Sequence, residues 1–283
     1  MKPFQKKYLL IATVFLQCFG VIAQKTTEDR TKYFPHKEEK VVTIPNKAKV
    51  WVFMMTGQSN MEGRGLVEPQ DTISNNRILT INSKNELILA KEPIHFSTPA
   101  YRGLDCGMSF ANELLKSIPK DVVILLLPTA VGGSPIEKWI KDLPHRNINL
   151  YSNFKEKLEI GQQYGTIKAI LWHQGESNAT TEGIANRNQN LKTLFSSFRK
   201  EANNEKLPIL IGNIGSFSKE PELWTEINNA NATYIREDKY AAIVETADLK
   251  HKGDKVHFDG ESQRIMGKRF AEKYINNFTN KGL

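Results

Sequence analysis

Ser59, Asp254 and His257 lie far apart in this chain, yet they are the side-chain types that acyl transfer uses. A hydroxyl attacks a carbonyl, an imidazole takes its proton, and a carboxylate orients the imidazole. Ser59 follows directly on the run Val50-Trp51-Val52-Phe53-Met54-Met55-Thr56-Gly57-Gln58, which reads as a buried strand broken off at the glycine. In an open α/β sheet the ligand crevice lies beyond the carboxyl ends of the strands, so a serine placed there faces it. By itself such a serine is more commonly a helix N-cap. Its companions argue otherwise. Asp254 and His257 stand three residues apart on one late loop. Gly132 and Gly133 follow a second apolar run, where glycine allows a sharp turn that offers bare N–H groups to a developing oxyanion. The Gln174 amide, after a third run, is a further candidate donor.

The elements that must bring these residues together are legible as alternating apolar runs and helical periodicities. Runs at 121–127, 167–172, 207–212 and 240–245 are continuous in the way that two-sided parallel strands are. Helical spacing covers 107 to about 119, 149–163, 184–203, 221–236 and 260–277. The expectation is an α/β fold with a five-stranded parallel sheet, right-handed crossovers and helices on both faces. In such a sheet the residues after each strand become neighbours whatever their separation in sequence. The stretch from about 66 to 105 carries short alternating pieces and reads as small strands or a hairpin on the surface.

With the site residues in view, four blocks resemble a known family: Gly57-Gln58-Ser59-Asn60-Met61 with Gly63 and Gly65; Gly132-Gly133-Ser134 with Ile136 and Trp139; His173-Gln174-Gly175-Glu176; and Asp254 with His257-Phe258. They look like the blocks of the SGNH-hydrolase carbohydrate acetylesterases, the sialate O-acetylesterase and acetylxylan esterase group resembling carbohydrate esterase family 6, over about residues 50–270. The resemblance implies a three-layer α/β/α flavodoxin-like fold, a Ser59–Asp254–His257 triad and no cofactor. It also implies an oxyanion hole made by the Ser59 N–H, a glycine of the 132–133 pair and the Gln174 side chain. Broader members carry asparagine where Gln174 stands. Gln58, Asn60, Arg64 and Glu176 are left as substrate-binding or loop-orienting candidates. Glu176 is also an alternative carboxylate for His257, His173 reads as a hydrogen-bonded structural histidine, and Arg64, Arg102 and Trp139 are candidates for a sugar platform and its donors.

Residues 1–23 read as a secretory signal peptide, with Lys2, Lys6 and Lys7 before the apolar run from Tyr8 to Val21 and a small residue, Ala23, at the cut. That run is shorter than the roughly 20 residues a spanning helix needs, so stable membrane insertion of the mature chain is not expected. Loss of the three leader lysines lowers the formal net charge from +8 to +5. This mild, dispersed basicity shows no stripe suited to nucleic acid. Residues 24–48 read as an extended lead-in and 49–283 as the esterase domain. Cys106 is left without a pairing partner once Cys18 departs, and reads as a buried small residue. The histidines show no metal-ligand spacing, so no metal is expected. The expected activity is that of an exported serine esterase removing O-acetyl groups from a carbohydrate, nearer the acetylxylan esterases by chain length. A sialate O-acetylesterase is the alternative, and a catalytically silent carbohydrate-binding protein is the alternative of another class.

Overall fold

The computed structural model describes residues 30–279. Its strands in chain order are β1 (Val50–Gly57), β2 (Ile78–Ile81), β3 (Leu87–Leu89), β4 (Val123–Pro128), β5 (Pro144–His145), β6 (Ile148–Asn149), β7 (Thr166–His173), β8 (Ile209–Gly212) and β9 (Ala241–Val244). The helices are α1 (Ser59–Glu62), α2 (Gly107–Leu114), α3 (Ile136–Ile140), α4 (Leu150–Tyr164), α5 (Thr181–Glu201), α6 (Pro221–Glu237) and α7 (Gly260–Tyr274). Seven strands form one sheet in the order β3-β2-β4-β1-β7-β8-β9, while β5 and β6 make a separate small ribbon. Every pairing in the large sheet is parallel except that of β2 with the edge strand β3.

The sheet is therefore wider than the five strands expected. The five apolar runs form β4, β1, β7, β8 and β9. Numbered along the chain they run 2-1-3-4-5, the flavodoxin-like doubly wound order. The two additional strands come from the stretch expected to lie on the surface. β2 and β3 form the hairpin expected there, but β2 lies inside the sheet and not on its surface: all four of its residues are buried and two register with β4.

The continuous hydrophobicity of the runs has its cause in the two-sided burial of the sheet. Along β1, Phe53 and Met55 point to one face and Val52 and Met54 to the other. The first face is covered by Phe110, Ala111 and Leu114 of α2 and by Met266, Phe270 and Ala271 of α7. The second is covered by Phe154 and Leu158 of α4 and by Leu191, Leu194, Phe195 and Phe198 of α5. Residues 30–48 have little regular structure, yet they are tied to the sheet edge: the Glu39 carbonyl accepts from the Leu89 N–H at 2.8 Å and Lys40 bridges Ile88. Among the described residues, no helix is long and apolar enough to cross a membrane. The leader reading, residues 1–23, lies outside the described residues.

Candidate active site

β1 ends at Gly57, whose φ of +141° suits glycine, and a Cβ there would stand 2.1 Å from the His173 carbonyl oxygen of β7. The chain turns at once into the single turn of α1, with Ser59 its first residue and only 6% exposed. At the other end of the sequence, residues 250–259 form a loop closed on itself by Lys252 N–H to His257 O at 2.9 Å and by Asp259 N–H to Lys250 O at 3.1 Å. Asp259 then caps α7 by accepting from Ser262 N–H.

Within that loop Asp254 Oδ1 accepts the N–H groups of Val256 at 3.0 Å and of His257 at 2.8 Å, which leaves Oδ2 2.8 Å from His257 Nδ1. The three-residue spacing thus makes a local turn that aims the carboxylate at its own histidine. His257 Nε2 lies 3.0 Å from Ser59 Oγ. Burial works to raise the Asp254 pKa, but the hydrogen bonds from His257 and Val256 bring it down to about 2. Burial is also the main influence on His257 and holds the imidazole below its usual value, against the pull of Asp254 and with help from Lys252 and Arg64. A neutral imidazole within reach of a hydroxyl, oriented by an ionised carboxylate, is what makes an alcohol a nucleophile.

Asn60 fastens the two loops together. Its Nδ2 donates to Val256 O at 3.0 Å and its Oδ1 accepts from Phe258 N–H at 3.1 Å, so one side chain grips both neighbours of His257. The same Nδ2 donates to Glu176 Oε1 at 2.5 Å. Glu176 therefore orients Asn60 while Asp254 occupies His257 Nδ1. Gln58 Oε1 accepts from Ser177 N–H at 3.3 Å. Gly132 packs so closely that a Cβ would meet the Arg64 guanidinium at 2.3 Å. The Gly132 carbonyl accepts from His145 Nε2 at 3.0 Å and Arg146 Nε at 2.9 Å, which fixes the plane of the peptide whose N–H belongs to Gly133. Arg64 is paired with the buried Glu62 at 2.7 Å.

The geometry corrects two expectations. Gln174 was expected to offer its amide to an oxyanion, but both hydrogens of that amide are engaged inside the protein. Nε2 donates to Asn178 Oδ1 at 2.6 Å and to Ser134 O at 3.3 Å, and Oε1 accepts from Arg187. Arg187 is fully buried, and its need for acceptors claims Gln174 from α5, 13 residues on. Trp139 is likewise not a sugar platform: it is fully buried against Trp172 and Phe198, with its indole N–H on Ser134 Oγ at 2.9 Å. Buried His173 points Nε2 at the Asn213 carbonyl, a structural contact, and Cys106 is buried with its thiol pushed well up by burial.

An open cleft of about 540 Å³ joins these parts, lined by Gln58, Ser59, Gly132, Gly133, Asp254 and His257. Its rim carries Arg30, Tyr101, Arg146 and Lys252, none of which sequence reasoning found. They lie on loops or in the lead-in, in no motif and with no periodicity, so only the folded chain brings them to the serine.

The family model described as carbohydrate esterase, sialic acid-specific acetylesterase, matches residues 49–276. A probable carbohydrate esterase of Arabidopsis thaliana is 29% identical over 252 residues, covering 80% of this chain and 91% of that one. An Arabidopsis thaliana crystal structure superposes with a TM-score of 0.72 at 28% identity, covering 81% of this chain and 98% of that one. NanS shares the fold, with a TM-score of 0.68 at 17% identity, covering 84% of this chain and all of that one (100%). So does a carbohydrate acetylesterase from Xanthomonas citri, with a TM-score of 0.63 at 20% identity over 83% of this chain and 57% of that one. The match over most of its length, set beside a strand-end cleft of this chemistry, places the chain in the sialic acid-specific acetylesterase family of carbohydrate esterases, a family of carboxylic ester hydrolases.

Proposed function

We propose that the protein is an exported serine esterase that removes O-acetyl groups from a carbohydrate through an acetyl-serine intermediate. Ser59 Oγ attacks the acetyl carbonyl carbon while its proton passes to His257 Nε2, and Asp254 stabilises the imidazolium. The oxyanion is met by the Ser59 N–H, an N–H of the Gly132-Gly133 pair and the Gln58 carboxamide, which takes the part first expected of Gln174. The tetrahedral intermediate collapses with cleavage of the bond to the sugar oxygen, which leaves with the proton held on His257. Water then attacks the acetyl-serine as His257 takes its proton. Acetate departs and Ser59 recovers its hydrogen. The scheme uses no cofactor. The single observation that carries it is the continuous relay from Asp254 to His257 to Ser59, at 2.8 and 3.0 Å, on the floor of the cleft.

Chain length pointed to an acetylxylan-type substrate. The cleft favours the sialate-type alternative, because among the described residues Arg30, Arg64, Arg146 and Lys252 line it against Glu176 and Asp254. Acetate release from O-acetylated sialic acid and from acetylated xylan, by wild type and by Ser59→Ala, tests both parts. The serine reading requires that the variant release none, and the acidic-sugar reading requires the higher kcat/KM on the sialate. Export rests on residues 1–23 and is tested by whether the leader is cut after Ala23 in a secreting host.

A further inference from the structure

Residues 30–48 precede the stretch the family model matches, yet they are fastened along the catalytic domain as a strap. The Glu39 carboxylate takes the hydroxyl of Ser74 at 2.8 Å and the ammonium of Lys91, and Glu38 accepts from Asn82 Nδ2 at 2.8 Å. Nearer the cleft the guanidiniums of Arg30 and Arg102 both stack on Phe34, at 5.6 and 5.4 Å from the ring centre. Arg30 also donates to the Arg102 carbonyl, and this fixes its head in the wall of the cleft that holds Ser59 and His257.

The charges there are unbalanced. Arg64 has Glu62, and Lys252 lies 3.7 Å from Asp254. The hydrogen bonds of Arg30 and Arg146 go to neutral carbonyls, of Arg102 and Gly132, and among the described residues neither has a carboxylate partner. Burial, then repulsion from Arg102 and Arg64, holds the Arg30 guanidinium below its usual range. An anion beside it would relieve that repulsion, and a guanidinium whose stem is already immobilised loses little freedom in binding one.

We propose that the strap is a specificity element of the cleft and that Arg30 binds the carboxylate of an acetylated sugar acid while the ester lies at Ser59. The inference rests on the esterase reading of Ser59. It is tested by comparing wild type, Arg30→Gln, Arg30→Lys and Phe34→Ala on four substrates: 4-nitrophenyl acetate, O-acetylated sialic acid, acetylated glucuronoxylan, and acetylated xylan stripped of uronic acid. Arg30→Gln should lose about 10- to 100-fold in kcat/KM on the acidic substrate through KM, the factor a charge-assisted hydrogen bond is worth. Hydrolysis of the aryl acetate should stay within about twofold, since that ester has no carboxylate to bind. Arg30→Lys should recover part of the loss, and Phe34→Ala should show part of it by freeing the side chain. Which acidic substrate responds identifies the source of the carboxylate. An equal loss on all substrates, or no loss on either acidic one, overturns the proposal. If Ser59→Ala stays fully active, the parent reading has failed instead.

Discussion

At the scale of single residues, neighbouring side chains of the site should show distinct losses on substitution. Ser59→Ala should reduce turnover by about six orders of magnitude, and Asp254→Asn by about 10⁴ through the wrong tautomer of His257. Glu176→Gln should cost far less than Asp254→Asn, because Glu176 reaches His257 only through Asn60. Gln58 and Gln174 should separate cleanly. Gln58→Leu should lower kcat by about 10²-fold with a smaller fall in melting temperature, since only the 3.3 Å bond from the exposed Ser177 is lost, whereas Gln174→Leu should lower the melting temperature more, because buried Arg187 loses an acceptor. The reverse pattern would restore Gln174 to the oxyanion. The pH dependence follows from the same geometry. Asp254, held at about 2, stays ionised throughout the working range, and His257 must be neutral to accept the serine proton. Since burial lowers the His257 pKa, kcat/KM should rise with pH through a midpoint below the ordinary histidine value of about 6.5. A midpoint above 7 would mean that imidazolium is favoured there. Ser59, Asp254 and His257 were legible because acyl transfer restricts the residue types and the strand ends restrict their places. Gln174 was misread because the residue that claims it, Arg187, lies on a helix whose sequence says nothing of where its guanidinium ends.

At the scale of elements, the turn from β1 to α1 is where fold and chemistry meet. A methyl at Gly57 would drive β1 away from the His173 carbonyl of β7 and shift Ser59 from His257. Gly57→Ala should therefore cost about 3 kcal/mol or more in urea unfolding and lower esterase activity along with it. Unchanged stability would mean that the two strands can part without strain. The long parallel strands could be read because burial on both faces leaves an unbroken apolar run, and the helices because one stripe faces the sheet. α5 begins at Thr181, whose neighbour Thr180 caps it by accepting from Gly183 N–H, three residues ahead of the apolar stripe that marks it in the sequence. β2 and β3 were legible as a small hairpin, but the pairing of β2 with β4 inside the main sheet and the two-residue strands β5 and β6 were not, because so short a piece carries no sign of a partner distant in the chain.

At the scale of the whole molecule, the cleft is open and lined chiefly by polar, charged and glycine residues, with Val256 the only aliphatic side chain among its described lining residues. An apolar tunnel would gain about 0.8 kcal/mol for each methylene it buries, so a lipase-like site should improve from acetyl to octanoyl esters. This cleft offers no such wall, and kcat/KM should be highest for acetyl and fall steeply by butyryl. A maximum at long chains would overturn the carbohydrate reading and leave the serine mechanism standing. The covalent step is tested by acid-quenching the enzyme during turnover of an acetyl ester and locating the acetyl group by peptide mass spectrometry. One acetyl group should be found on the peptide containing Ser59 and be absent from Ser59→Ala, which should release no acetate. Acetate release at wild-type rates by that variant, with no acetylated peptide in either protein, would contradict it.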